Sequence, residues 1–268
     1  QLDTEGQPTK IPYDNAGYMD IAPEDKCENV RREICLLLEQ MGIYPESSHH
    51  EEGPGQNEID FRYSDPLTAA DNTLTFQAVV KTVAQRNGLY ADFSPKPLRH
   101  QPGNGFHINI SVKGENCEDP ISHMIAGVLE HIPELTVFLN PTVASYERFG
   151  GPKAPEYISW SNQNRSQLIR VPAAVDEYRR AELRSPDPTT NPYLAFALLI
   201  YAGLDGIQQK LPLPAPTDLN LFTASADILA HLQPLPLTLR EAATLAANSS
   251  FVSKYLPKTI VQTYYDQR

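Results

Sequence analysis

The chain has 268 residues, 41% of them hydrophobic, and a formal net charge of -11. That length suits one sizeable core and most simply a single domain, residues 1–268, while an acidic chain without a basic tract argues against nucleic-acid binding. The three cysteines, Cys27, Cys35 and Cys117, form no Cys-x-x-Cys pair and fit reduced thiols in the cytoplasm; no signal peptide or membrane-length apolar run is visible.

Gln1 to Asp14 is polar and carries no initiator methionine. A helix is predicted from Pro23 to Met41, with Val30, Ile34, Leu37, Leu38 and Met41 on one stripe and Gly42 as its stop. Ser47 to Tyr63 follows, opening with Ser47-Ser48-His49-His50-Glu51-Glu52-Gly53 and then alternating, so that Glu58, Asp60 and Arg62 oppose Ile59, Phe61 and Tyr63. A second helix runs from Leu67 to Arg86 and ends at Asn87-Gly88, after which Leu89 to Phe93 reads as a strand leading into the Lys96 loop.

From Phe106 the pattern alternates again. Phe106, Ile108, Ile110 and Val112 share one face, and His107, Asn109 and Ser111 share the other. Ile121 to Leu139 reads as a helix interrupted near Pro133. Tyr157 to Ser161 is a short strand, and Trp160 reads as packing. At Glu182-Leu183-Arg184 the acid and the guanidinium point the same way. A long apolar helix opens at Asn191-Pro192-Tyr193 and reaches Ile207. Residues 211–237, rich in the chain's 24 prolines, form a loop-rich excursion, and Leu239 to Ala246 and Ser249 to Arg268 close the chain as helices.

Three strands thus offer a carboxylate or an imidazole on the face away from their apolar residues. If they share a sheet, Glu58, His107 and Glu182 converge, and with Glu51 they supply hard oxygens and one nitrogen without a thiolate, which suits magnesium or manganese better than zinc. Singly, each residue has a plainer reading: a strand glutamate is usually only solvated, and His49-His50 is equally a surface loop or a satisfied buried pair. No Walker loop, HExxH helix or nucleophile elbow is present.

In order and spacing, these pieces resemble glutamine synthetase. His49 to Glu58 resembles its metal-binding segment, and Lys96-Pro97 through Ser111 its ATP-binding signature. Asn164-Arg165-Ser166 with Ile169-Arg170-Val171-Pro172, and Glu182 through Phe196, resemble its phosphate and metal segments. The resemblance runs from about Ala16 to Ile207.

That likeness implies an α+β catalytic domain with a curved, mostly antiparallel sheet, covering helices and a polar funnel. It implies ATP-dependent ligation of ammonia to L-glutamate through γ-glutamyl phosphate, with magnesium or manganese. One ion would lie on Glu51 and Glu58, the other on His107 and Glu182. Arg148 would grip the substrate carboxylate near Gly103, with Arg165, Arg170 and Arg184 around the transferred phosphoryl group. Tyr18, Glu46, Asn109 and Ser111 would fall near the nucleotide. The intact family member would add an upstream β-grasp domain with two more metal-binding glutamates and assemble as a dodecamer, so the 268 residues read as an excised or processed catalytic domain with weak metal binding and little turnover alone.

Two positions depart from the family pattern. In Arg148-Phe149-Gly150-Gly151-Pro152-Lys153-Ala154-Pro155 the loop is one residue short and Lys153 replaces a glutamate that helps deprotonate ammonium. Glu147 or Glu156 could take that role, or the nucleophile is an organic amine. Pro102 replaces an asparagine before Gly103. A non-catalytic relative that keeps the fold is a further alternative, opposed by the retained Glu51, Glu58, His107, Glu182 and Arg184.

Overall fold

The computed structural model describes residues 1–113, 117–174 and 179–266. The chain forms two compact units, one of residues 1–93 with 97–102, the other of residues 94–96 with 103–268.

In the first unit, α1 (Glu28–Gln40) and α2 (Pro66–Arg86) flank in sequence an antiparallel pair, β1 (Pro45–His50) and β2 (Asn57–Phe61). Ile34, Leu38, Ile43, Val79 and Val83 form the apolar cluster, with Ile59 and Phe61 of β2 packed against it. The expected helix from Pro23 starts later, because Asp25 accepts the Cys27 N–H at 2.9 Å and binds Arg31, holding residues before Glu28 in turns. The expected strand from Leu89 to Phe93 is absent. Gly88 has a φ of 71°, the Leu89 N–H returns to Ala84 O, and the Leu89 side chain is buried beside Cys27 and Ala84.

In the second unit four strands pair in the order β3 (Ile108–Ile110), β6 (Ala181–Leu183), β5 (Ile169–Val171), β4 (Trp160–Asn162). The β3–β6 and β5–β6 pairs are antiparallel and β4–β5 is parallel, so the sheet is mixed. The register sets Ile108, Leu183, Ile169 and Trp160 in one row, and that row joins the core formed by α3 (Pro120–Leu139), α5 (Pro192–Gln209) and α7 (Leu239–Asn248), with α4 (Val143–Tyr146) and α6 (Ala226–Leu229) as single turns between them in sequence. The adjacent row, Asn109, Glu182, Arg170 and Ser161, takes the opposite face. The strands carrying Glu58 and Glu182 therefore divide between two sheets instead of sharing one. A short turn explains this: the Glu51 N–H bonds Gln56 O at 2.8 Å, so β1 and β2 close on each other as a local hairpin.

Other elements differ in extent. α3 runs unbroken through Pro133, where Ile132 and Leu135 are fully buried and tertiary packing offsets the missing N–H. The strand expected at Tyr157 begins at Trp160, and Tyr157 makes only an isolated bridge to Pro234. The closing helix divides at Pro257 into α8 (Ser250–Tyr255) and α9 (Lys258–Asp266), and its expected last residues, Gln267 and Arg268, lie outside the described residues.

α3 and α5 meet backbone to backbone. A methyl group built on Gly127 would fall on Ala202 O and on Gly206, and one on Gly206 would fall on Gly127 and His123 O. Replacing Gly127 with alanine is expected to cost about 2–3 kcal/mol by overpacking, measured as a lower urea midpoint with unchanged slope.

His131 of α3 bonds Glu134 at 2.7 Å and Asp205 of α5 at 2.9 Å, and stacks on Phe251 of α8 at 3.7 Å. Burial opposes its charge, but the bonds and charges of Glu134 and Asp205 outweigh burial and raise the imidazole above its ordinary value. The folded chain holds this proton more tightly than the unfolded chain. The cluster's stabilisation is therefore complete below about pH 6.5 and is lost as pH rises through the raised folded value. The stability gap between wild type and His131→Gln should narrow from pH 6 to pH 8.5 in urea titrations; a gap independent of pH would contradict this charge assignment.

Candidate active site

In the first unit, β1 and β2 are registered Ser47 to Asp60, Ser48 to Ile59, His49 to Glu58 and His50 to Asn57. Alternation puts His49 and Glu58 on one face. Glu51, just past β1, completes a group whose ligand atoms all lie within 4.8 Å of one another. His49 Nε2 is 3.9 Å from Glu58, and the Tyr18 ring meets the His49 ring edge-on at 5.6 Å. One imidazole and two carboxylates make a hard donor set that fits magnesium or manganese. Glu46 is exposed at the register shift between Pro45 and Ser47.

Sequence alone admits either a surface loop or a buried pair at His49-His50, and the structure separates the two residues. His50 is the satisfied buried member: it is fully enclosed, its Nε2 lies 2.9 Å from Asp14, and its Nδ1 donates to Glu51 O at 2.6 Å. His49 joins the ligand group that sequence reasoning had drawn without it. The usable signal was parity, since His49 and Glu51 lie two apart.

In the second unit, Glu182 is the centre. It accepts from Arg170 Nη1 at 2.8 Å and Arg184 Nη1 at 2.7 Å, and His107 Nδ1 lies 3.3 Å away. Burial alone would raise this carboxyl, but the His107 bond, the charges of Arg184 and His107, and the Arg170 bond hold it far below the usual carboxylate range. His107 is pushed down, first by burial and then by the Arg184 charge, against the pull of Glu182. Arg170 Nε is buried and has no hydrogen-bond partner among the described residues.

Arg148 is 2% exposed and donates to Ser185 O at 2.6 Å and Arg184 O at 2.9 Å. Burial depresses it to about 10. The Gly103–Gly105 turn lies directly on it: a Cβ on Gly103 would meet Pro95 O at 2.6 Å and Arg148 Cγ at 2.8 Å. Gly103 is thus required by the close approach of a buried arginine. Asn109 accepts from Arg180 Nε at 3.1 Å, and Ser111 is exposed just beyond β3.

The Arg165 side chain is exposed, on a turn fastened from outside. Asn164 and Gln167 both donate to Leu219 O, at 2.8 and 2.9 Å, and the Leu221 N–H bonds Ser166 Oγ at 2.9 Å. The proline-rich excursion therefore shapes the turn that presents Arg165. Trp160 donates to Pro214 O at 2.8 Å, in agreement with a packing role.

The shortened loop is held at Arg184, whose Nη2 donates to Lys153 O at 3.4 Å. Lys153 has a φ of 56°. The Glu156 carboxylate sits beside Gly150, 2.5 Å from where a Cβ would stand. Glu147 instead lines an open depression of about 650 Å³ with Val143, Tyr146 and Leu239. The two acids named as substitutes thus occupy different surroundings, and Glu156 is the one packed within the loop.

A family model described as the glutamine synthetase catalytic domain matches residues 2–268. A glutamine synthetase of Methanosarcina mazei is 45% identical over 279 residues, covering 98% of this chain and 62% of that protein. One of Staphylococcus aureus (strain MW2) is 44% identical over 283 residues, covering 100% of this chain and 64% of its own length. The solved GmaS/ADP complex superimposes with a TM-score of 0.85 at 28% identity, covering 99% of this chain and 65% of that one. Apo GmaS gives 0.83 at the same identity. This chain spans less than two thirds of the length of these relatives, and it belongs to the glutamine synthetase family, matching its catalytic domain.

Proposed function

We propose that these 268 residues act as the catalytic domain of an ATP-dependent ligase that joins ammonia to L-glutamate, in the cytoplasm and as part of a homo-oligomer, a dodecamer in the intact protein. The observation that carries this reading is the retention, in a chain 45% identical to a glutamine synthetase, of a compact His49/Glu51/Glu58 group and of an arginine set around Glu182. Among the described residues no helix is long and apolar enough to cross a membrane.

Glu51 and Glu58, with His49 beside them, would hold one divalent ion, magnesium or manganese, which would supply positive charge to phosphate oxygens; His107 with Glu182 is the pair expected for a second, and because both Glu182 oxygens accept from Arg170 and Arg184, an ion there would have to take the place of one of those bonds. Arg148 binds the α-carboxylate of glutamate. The γ-carboxylate oxygen attacks the terminal phosphorus of ATP, ADP departs, and γ-glutamyl phosphate results. Arg165, Arg170 and Arg184 counter the charge of the moving phosphoryl group, and the unpartnered Arg170 Nε is a donor available for one of its oxygens. Glu46, Asn109 and Ser111 belong to the nucleotide's surroundings; the GmaS/ADP complex supports a nucleotide in this fold. The amine then attacks the acyl carbon, phosphate leaves, and Glu156 accepts the amine's proton.

Lys153 favours a second reading, in which the nucleophile is an organic amine, because an ammonium side chain in that loop disfavours a small cation beside it.

The test is ADP release with glutamate, magnesium or manganese, and ammonium or a panel of amines, in a polypeptide joining this chain to the upstream domain expected from the family. Ammonium-dependent turnover that drops by at least about 100-fold in Glu58→Ala is expected. Turnover with larger amines alone would replace ammonia by an organic amine, and turnover undiminished by Glu58→Ala would remove the metal assignment. With ammonia as nucleophile, Lys153→Glu should lower the KM for ammonium several-fold at nearly constant kcat, because it exchanges a repulsive charge for an attractive one.

A further inference from the structure

The His49/Glu51/Glu58 group sits on a two-stranded ribbon, and a pair of strands by itself is a weak support for ligands that must be placed to a fraction of an ångström. The ribbon's other face shows what fixes it. Arg31 projects from α1, is 6% exposed, and spreads its guanidinium over three partners. Asp25 takes two bonds, from Nη1 at 3.1 Å and Nη2 at 2.6 Å. Ser48 Oγ accepts from Nε at 3.1 Å, and Asn57 Oδ1 accepts from Nη1.

The register gives those last two contacts their meaning. Ser48 is the neighbour of His49 on β1, and Asn57 is the neighbour of Glu58 on β2. Because successive side chains alternate, Arg31 grips the ribbon from the face opposite the His49–Glu58 pair, with one contact on each strand. It ties the two strands to each other and to α1 directly behind the ligands. His50, on the gripped face, extends the brace by joining buried Asp14 to the carbonyl of Glu51, the third member of the group.

We propose that Arg31, oriented by Asp25, is a positioning residue that sets the separation of His49 and Glu58 and thereby the divalent-ion affinity of the group; this rests on the metal assignment proposed above. The planar guanidinium is essential to the arrangement, since its nitrogens reach Asp25, Ser48 and Asn57 at once, whereas a lysine ammonium on a flexible stem cannot span the three. Residues that orient metal ligands from behind typically change metal affinity by about 10- to 100-fold when altered.

The experiment is Mn2+ titration of the chain, followed by the electron paramagnetic resonance of free Mn2+, together with thermal unfolding of each variant. Arg31→Lys is expected to weaken Mn2+ binding about tenfold or more while unfolding stays cooperative. Ser48→Ala with Asn57→Ala leaves the Asp25–Arg31 pair whole and changes two exposed positions, so it keeps the fold should Arg31→Lys fail to; it is expected to show a comparable loss. Glu58→Ala serves as the reference for the site. If Glu58→Ala removes one Mn2+ from the bound stoichiometry while the double variant binds that ion within twofold of wild type, the positioning role is overturned and the site stands. If Glu58→Ala binds as wild type does, the metal assignment itself fails and the proposal falls with it.

Discussion

A carboxylate with 8% of its side chain exposed, on the polar face of a sheet, is stable as an anion only when charge comes to meet it, and the second unit is built around that requirement at Glu182. Arg170 arrives from the neighbouring strand at the same register position, Arg184 from just past the end of β6, and His107 from just before β3 on the other side. Three cationic or polarisable groups around one anion form an assembly in which removing any member leaves its partners poorly compensated. The surplus of positive charge is also what a phosphoryl group would meet. The contacts that hold the sheet's polar face together and those that would stabilise a transferring phosphoryl group are therefore the same.

Around that centre, loops without regular structure are fixed by single well-placed bonds. The Arg165 turn is held by a carbonyl of the proline-rich excursion, the short loop at Lys153 by the guanidinium of Arg184, and the Gly103–Gly105 turn by lying directly on Arg148. The first unit follows the same logic with different groups, a ribbon whose ligand face is set by buried side chains working from the opposite face. In both units the candidate residues stand on short strands or on the loops beside them, and side chains one layer removed hold several of them in place.

Much of this was legible in the sequence because strand parity is a local property. Alternation at Phe106–Val112 and at Glu182–Arg184 assigned His107, Asn109, Glu182 and Arg184 to the polar face; Asn109 and Glu182 share a row of the sheet, and His107 and Arg184, just outside the strands, both lie against Glu182. The cap at Asn191 placed the start of α5. What sequence could not carry was partner choice. Nothing local in Glu58 says that its strand closes on β1 instead of joining the strand of Glu182, and nothing local in Leu89 to Phe93 says that no strand pairs with it. Burial of a charge is equally invisible from composition: Arg148 and Arg31 look like surface arginines until their enclosing partners are placed. His49 was obscured by its neighbour, since two adjacent histidines offer no local hint of which is enclosed.

Anomalous diffraction at the manganese edge, from crystals of the chain soaked in Mn2+, decides whether His49, Glu51 and Glu58 hold a divalent ion. A manganese peak bonded to carboxylate oxygens of both Glu51 and Glu58, with His49 adjacent, is the expected result. Manganese found elsewhere on the chain with that group unoccupied at saturating metal would contradict the claim that these residues form a divalent-ion site.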